Sequence, residues 1–119
     1  MENMVSLRDL KTVKVVVGAK EISEGAPDEP HCCPVSLAIR KTMLPEFKPF
    51  VYSAMVRIFK KKVQKLRSGK EIIAMDEYDR VPLPESAALF VHSFDDGNSD
   101  MMAFTFEMQL PPKCLKPTS

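Results

Sequence analysis

The sequence contains no apolar run that approaches the roughly 20 residues needed to cross a bilayer. Its amino-terminal segment, MENMVSLRDLKTVK, mixes charges from the second residue onward, so we expect no secretory signal peptide. The three cysteines are an odd number and form no C-x-x-C pair, which favours reduced thiols over a disulfide framework. These absences predict a cytoplasmic protein that does not contact a membrane.

Motifs that carry familiar chemistry are also missing. There is no glycine-rich phosphate-binding loop, no G-x-S-x-G nucleophile turn and no H-E-x-x-H zinc motif. The acidic residues do not follow the spacing of a helix–loop–helix calcium site. We therefore expect no enzyme activity, no catalytic residues, no bound metal and no cofactor.

What the sequence does contain is enough apolar material for one folded domain. Its 119 residues are 45% apolar and 28% charged, which is ordinary for a globular protein with its own core. We predict an extension at residues 1–10, a single α+β domain at 11–112, and a flexible tail at 113–119.

Hydrophobic periodicity and the positions of proline and glycine indicate six elements. Pro34 suits the first position of a helix, and Gly97 suits the end of one. The predicted strands are 11–17, 50–60, a third centred on 72–75, and 101–110; the predicted helices are 34–43 and 84–96, and 19–31 is predicted to be a loop with at most one helical turn.

The resulting order, β-α-β-β-α-β, predicts a ferredoxin-like two-layer sandwich. In that fold, two helices cover one face of a four-stranded, mostly antiparallel sheet. The last strand supports a sheet with one covered face, because Phe104, Phe106 and Met108 alternate with polar residues. An irregular α+β fold with another strand order is the alternative.

His31, Cys32 and Cys33 lie directly before Pro34 and resemble a chemical site. A zinc site would need a further ligand, His92 or Cys114. A reactive Cys33 beside a helix N-terminus would have a lowered pKa, yet a free cysteine is more often a small buried hydrophobe. We therefore favour a buried structural role for at least one of the two cysteines.

Charge is distributed unevenly along the chain. Residues 40–70 contain ten Lys or Arg and one acid, whereas residues 71–100 contain eight acids and one base. The candidate binding site is the basic hairpin 57–70, with Arg57, Lys60, Lys61, Lys62, Lys65, Arg67 and Lys70.

Two kinds of partner suit this hairpin. It could grip the phosphates of a nucleic acid, with Phe47, Tyr52 and Phe59 as stacking surfaces if they are exposed. A basic hairpin and an acidic helix end also suit a protein partner or self-association, in which opposite patches meet. Exposed sheet edges would support a homodimer.

The segments CPVSLAIRK, VPLPESAALFVHSFDDG and FTFEMQL resemble a class of small phage-encoded proteins without assigned function. The similarity covers about residues 13–110, and the adjacent Cys32 and the long basic tract depart from it. The matching positions are Cys33, Pro34, Leu37 and Ala38, then Phe90, Phe94, Asp95 and Gly97, and finally Phe104, Phe106 and Glu107.

The resemblance implies a phage accessory protein that binds a macromolecule in the host cytoplasm. We therefore expect a non-enzymatic binding protein, a phage accessory or host-modulating factor that acts through protein–protein contacts. The alternatives are a nucleic-acid-binding module that uses the hairpin 57–70, and a small thiol- or metal-dependent enzyme.

Overall fold

The structure, a computed structural model, describes residues 9–52, 54–97 and 100–117. No helix in these ranges has both the length and the apolar character needed to cross a membrane. The elements are the strands β1 (Lys11–Val17), β2 (Phe47–Tyr52), β3 (Met55–Lys65), β4 (Glu71–Pro82) and β5 (Phe104–Leu110), and the helices α1 (Ala19–Glu24), α2 (Pro34–Arg40) and α3 (Glu85–Asp95).

The strands form two separate antiparallel sheets. β1 pairs with β5, so that Val15 lies opposite Phe106. The other sheet is a meander of three strands in the order β2-β3-β4. In β1 and β5 buried and exposed residues alternate, as expected for a sheet with one face against the core.

Helix α2 connects the two sheets. It contacts both β1 and β2, and Val35, Ala38 and Ile39 on it are buried. The Ser36 hydroxyl donates a hydrogen bond of 2.8 Å to the carbonyl of Pro49 in β2, which satisfies the one buried polar side chain on this helix. The core therefore lies around α2, between the two-stranded sheet and the inner face of the meander.

The predicted ferredoxin-like fold with a four-stranded sheet is wrong, although the α+β class is right. Residues 50–60 were predicted as one strand, but the chain reverses there and forms β2 and β3. β2 then pairs with β3, and β1 is left to pair with β5 alone.

Pro49 explains why the start of β2 is hard to predict. Proline is expected to interrupt a strand, but an edge strand tolerates it on the side away from its partner. Val51, two residues further on, donates its N–H to the carbonyl of Pro30 at 2.8 Å, on the side away from β3. The nitrogen of Pro49 faces that same side, so no hydrogen bond of the ladder is lost.

Helix α1 occupies the segment predicted as a loop. Glu21 closes its first turn, because its carboxylate accepts the Gly18 N–H at 2.8 Å and forms an ion pair with Lys41. Both partners lower the pKa of Glu21, with the Lys41 contact as the larger cause. A buried carboxylate with two partners therefore fastens α1 to the end of α2.

Residues 113–117, predicted as part of a flexible tail, pack against the domain. Pro112–Cys114 forms a short 3-10 turn, and the Cys114 side chain is fully buried. Leu115 forms a β-bridge with Met43, and Lys116 donates its N–H to the Thr42 carbonyl at 2.9 Å. Of the predicted extension and tail, residues 1–8 and 118–119 lie outside the described residues.

Candidate functional site

The basic hairpin forms an arm that projects beyond the rest of its sheet. β2 pairs with β3 as far as Lys60, and the Lys61 N–H donates to the Glu46 carbonyl at 2.8 Å. Beyond Lys61, β3 and β4 pair only with each other. Gly69, at φ 90°, makes the turn possible. We call residues 61–75 the arm; its five ladder positions correspond to about 16 Å of strand.

The arm exposes apolar side chains on both of its faces. Val63 and Ile73 lie directly opposite each other, and 64% and 68% of their surfaces are exposed. Leu66 and Ile72 are each 42% exposed. The strand through Ile72 was predicted, whereas the exposure of its apolar side chains was not. The two adjacent isoleucines were a signal, because neighbouring residues in a strand point to opposite faces.

The predicted cations surround the arm and do not form one basic patch. Lys61 and Lys65 share the face of Val63 by the two-residue period of the strand. Lys60 and Lys62 lie on the other face, where the Lys62 ammonium is 3.7 Å from the Asp76 carboxylate.

The last two predicted cations, Arg67 and Lys70, lie at the tip, in the turn between the strands, and are exposed. Cations therefore flank the apolar side chains on both faces and at the tip.

Arg57, the first residue of the predicted site, lies outside the arm, on the face of the meander opposite the core. Its guanidinium contacts both oxygens of Glu77, at 2.9 and 3.2 Å. Arg80 contacts the same carboxylate. The hydrogen bonds from Arg57 and then Arg80 lower the pKa of Glu77 to about 2, so this cluster carries one net positive charge at neutral pH.

Aromatic rings lie beside Arg57 on this outer face. The Arg57 guanidinium carbon lies 5.8 Å from the centre of the Tyr52 ring and 5.1 Å from that of Phe59. Phe50 contacts Phe59 edge-on, with ring centres 5.0 Å apart. Phe47 was also predicted as a stacking residue, but it is buried in the core. Tyr52 and Phe59 thus remain as the predicted aromatic surface.

A second feature is an acidic groove of about 480 Å³ beside α3. The side of α3 with Ala87, Phe90 and Val91 is buried, whereas Leu89 is 61% exposed. None of the lining residues that the structure describes is Lys or Arg. Four carboxylates line the groove, those of Asp28, Glu29, Glu85 and Asp95. Its apolar surface comes mainly from Tyr52 and Leu89.

Sequence inspection did not find this groove, because its parts are distant in the chain. A hydrogen bond of 2.9 Å, from the Asp28 N–H to the Asp95 carboxylate, fastens the loop before α2 to the end of α3. Asp95 was noticed only as part of an acidic helix end. The arrangement places four carboxylates around an apolar surface.

The groove and the arm lie at opposite ends of the meander. Tyr52, which lines the groove, pairs with Met55 at the start of β3, and the arm follows at the far end of the same strand. The eleven residues from Met55 to Lys65 span about 33 Å at the usual rise of a strand.

In the His31, Cys32 and Cys33 cluster, Cys33 and His31 have packing and capping roles. Cys33 is 2% exposed and caps α2, with its sulfur 3.4 Å from the Ser36 nitrogen. Burial raises the pKa of its thiol, opposite to the lowered pKa that the reactive alternative required, and the favoured buried role is confirmed. The His31 ring packs against Phe50, with ring centres 5.4 Å apart.

Of the other residues considered for chemistry, His92 lines the acidic groove together with Cys33. Burial raises the pKa of Cys114 to about 11. His92 lies on the exposed side of α3, 3.5 Å from Asp96. Within the described ranges, no three His, Cys, Asp or Glu side chains come together as metal ligands.

Compared with known family models, with curated proteins and with solved structures, the chain gives no significant match. The resemblance to small phage-encoded proteins therefore stays a prediction.

Proposed function

We propose that this is a non-enzymatic binding protein whose arm inserts into a complementary surface of a partner protein. The observation that carries this proposal is the exposed pair Val63 and Ile73 on a ribbon of only two strands. Its free thiols and its resemblance to phage-encoded proteins suit a phage accessory or host-modulating factor in a reducing host cytoplasm.

Physical chemistry favours a partner for the arm. A ribbon of two strands is marginally stable in water by itself. Full burial of a Val or Ile side chain contributes about 1.5–3 kcal/mol. About two-thirds of Val63 and Ile73 remains exposed, so a partner that covers the pair would gain about 2–4 kcal/mol before the entropy lost on binding.

The charges specify the kind of surface that would fit. Residues 61–75 contain five Lys or Arg and one acid, and these cations flank the apolar pair. A partner surface with an apolar centre and an acidic rim would bury the isoleucine and valine and would face the lysines with carboxylates. Such complementarity mainly sets specificity and association rate.

The test is capture of binding partners with a matched pair of variants. The arm variant Val63→Thr with Ile73→Thr keeps β-branched residues but removes the apolar surface. The control is Val16→Thr on β1, where a valine is 55% exposed far from the arm in the chain. With nucleic acid digested, the arm variant should lose the bound proteins, and the control should retain them. Equal recovery from both would contradict the proposal.

Nucleic-acid binding by the outer face of the meander is the second candidate function. It is favoured by the outer face, where Arg57 lies over Tyr52 and Phe59 and the cationic Lys48 and Lys61 lie nearby. Bases stack on aromatic rings, and cations neutralise phosphates.

This candidate has its own test. The variant Lys48→Glu with Lys61→Glu, which reverses two cations beside the outer face, should lose binding to mixed DNA and RNA oligonucleotides, measured by fluorescence anisotropy at two salt concentrations. No binding by the parent protein at low salt would exclude this function.

A further inference from the structure

We propose that the acidic groove receives the arm of a second copy of this chain, so that the protein associates with itself through unlike surfaces. This inference rests on the proposed function, because it names the partner of the same arm. A single contact of this kind would cover both the exposed apolar pair of the arm and the acidic groove.

Charge is the first reason. The arm carries five cations and one acid, and the groove carries four carboxylates and no Lys or Arg among the lining residues that the structure describes. Opposite potentials of this kind steer two surfaces together and fix their orientation. A groove lined in this way also repels nucleic acid, whose phosphates are negative.

Apolar surface is the second reason. Leu89 and Tyr52 give the groove an exposed apolar part. Val63 and Ile73 project from one face of the arm, with Lys61 and Lys65 on either side of Val63 along the strand. An arm laid in the groove would place its apolar pair on Leu89 and its lysines among the carboxylates.

The molecule cannot make this contact with itself. Val63 lies eight residues beyond Met55, the partner of the groove residue Tyr52, so the apolar pair and the groove are about 26 Å apart along the strand, and the strands between them are paired along that length. The partner must therefore be a different molecule. Because arm and groove are different surfaces, a copy with a damaged arm still presents an intact groove.

Charge reversal tests the contact. Sedimentation velocity of purified, nuclease-treated protein should show a mass that rises with concentration between about 10 µM and 1 mM, as for a small transient interface. Raising the salt from about 0.05 to 0.5 M should reduce it, because surface charges are screened. The arm variant Lys61→Glu with Arg67→Glu and the groove variant Glu29→Lys with Glu85→Lys should each stay monomeric.

Mixing the two variants gives the decisive result. Each reversed surface then meets a reversed partner, and each unchanged surface meets an unchanged one, so the equimolar mixture should associate again. The controls Lys20→Glu on α1 and Glu107→Lys on β5 change exposed charges elsewhere and should behave as the parent protein.

Two outcomes would overturn the inference: a parent protein that stays monomeric throughout, or a groove variant that associates like the parent. If either occurs while the Val63→Thr, Ile73→Thr variant still loses captured proteins, the proposed function stands with another partner. If that variant also retains its captured proteins, the proposed function fails as well.

Discussion

Replacing residues 63–73 with the dipeptide Asn-Gly shortens the arm and leaves the core untouched. The Leu66 N–H donates to the Lys70 carbonyl at 2.7 Å, so alternate residues, including Lys62 and Ala74, form the hydrogen-bonded pairs of this ladder. A two-residue Asn-Gly turn closes such a pair. We predict that the shortened protein is as stable as the parent to within about 1 kcal/mol.

The magnitude follows from the burial of the removed residues. All eleven are exposed, and about a third of Val63 and of Ile73 is covered. That third contributes about 0.5–1 kcal/mol for each side chain. Because the removed residues cover so little apolar surface, removing them should change the free energy of unfolding little.

Urea unfolding, followed by far-ultraviolet circular dichroism, measures this change. Ile58→Ala in the same strand serves as the control, because Ile58 is fully buried and its loss should cost about 2–5 kcal/mol. A shortened protein that loses more than about 2 kcal/mol would show that the arm is part of the folding unit, which would refute our view of it as a free binding element.

Three further predictions concern the core. Gly25→Ala should destabilise by about 1–3 kcal/mol in urea unfolding, because its Cβ would lie 2.6 Å from ring carbons of Pro34; an unchanged midpoint would contradict this. Glu21→Gln should cost about 1–2 kcal/mol at pH 7. Since the folded-state pKa of Glu21 is lowered, that cost should persist above about pH 4.5 and shrink as the pH falls below the usual value of about 4.3; a cost that does not depend on pH would contradict it. At pH 8, iodoacetamide should modify the half-buried Cys32 at least about 100-fold faster than the buried Cys33; equal rates by peptide mass spectrometry would contradict this.

Sequence patterns predicted the elements whose signals are local. The start of α2 at Pro34, the helix Glu85–Asp95 and the strand Phe104–Leu110 all depend on proline placement or on periodicity within a few residues. The same is true of the first strand, Lys11–Val17. Each of these elements forms where its own residues favour it.

The error in the fold came from one reversal of the chain. The turn between Tyr52 and Met55 contains neither glycine nor proline, and the run through it reads as one strand rich in apolar residues. When residues 50–60 form two strands instead of one, the meander has three strands of its own, and β1 pairs with β5 alone. Strand pairing depends on contacts distant in sequence, so local patterns could not supply it.

Only the part of the candidate site that depends on neighbouring residues could be predicted from the sequence. The cations from Arg57 to Lys70 lie close together in the sequence, so the sequence alone predicts a basic segment. The exposure of Val63 and Ile73 depends instead on strand lengths, since β2 has six residues whereas β3 and β4 have eleven and twelve. The groove joins three distant segments, and no pattern within any of them indicates it.

Paramagnetic relaxation enhancement between copies is the most direct test of the contact between arm and groove. Protein with Cys32→Ser and Gln64→Cys, spin-labelled at natural isotope abundance on the arm face away from Val63, is mixed with ¹⁵N-labelled parent protein. We predict that the amide signals of Leu89 and His92 beside the groove broaden, while that of Thr105 on β5 stays sharp. Unchanged signals at Leu89 and His92, at concentrations where the protein self-associates, would contradict the contact.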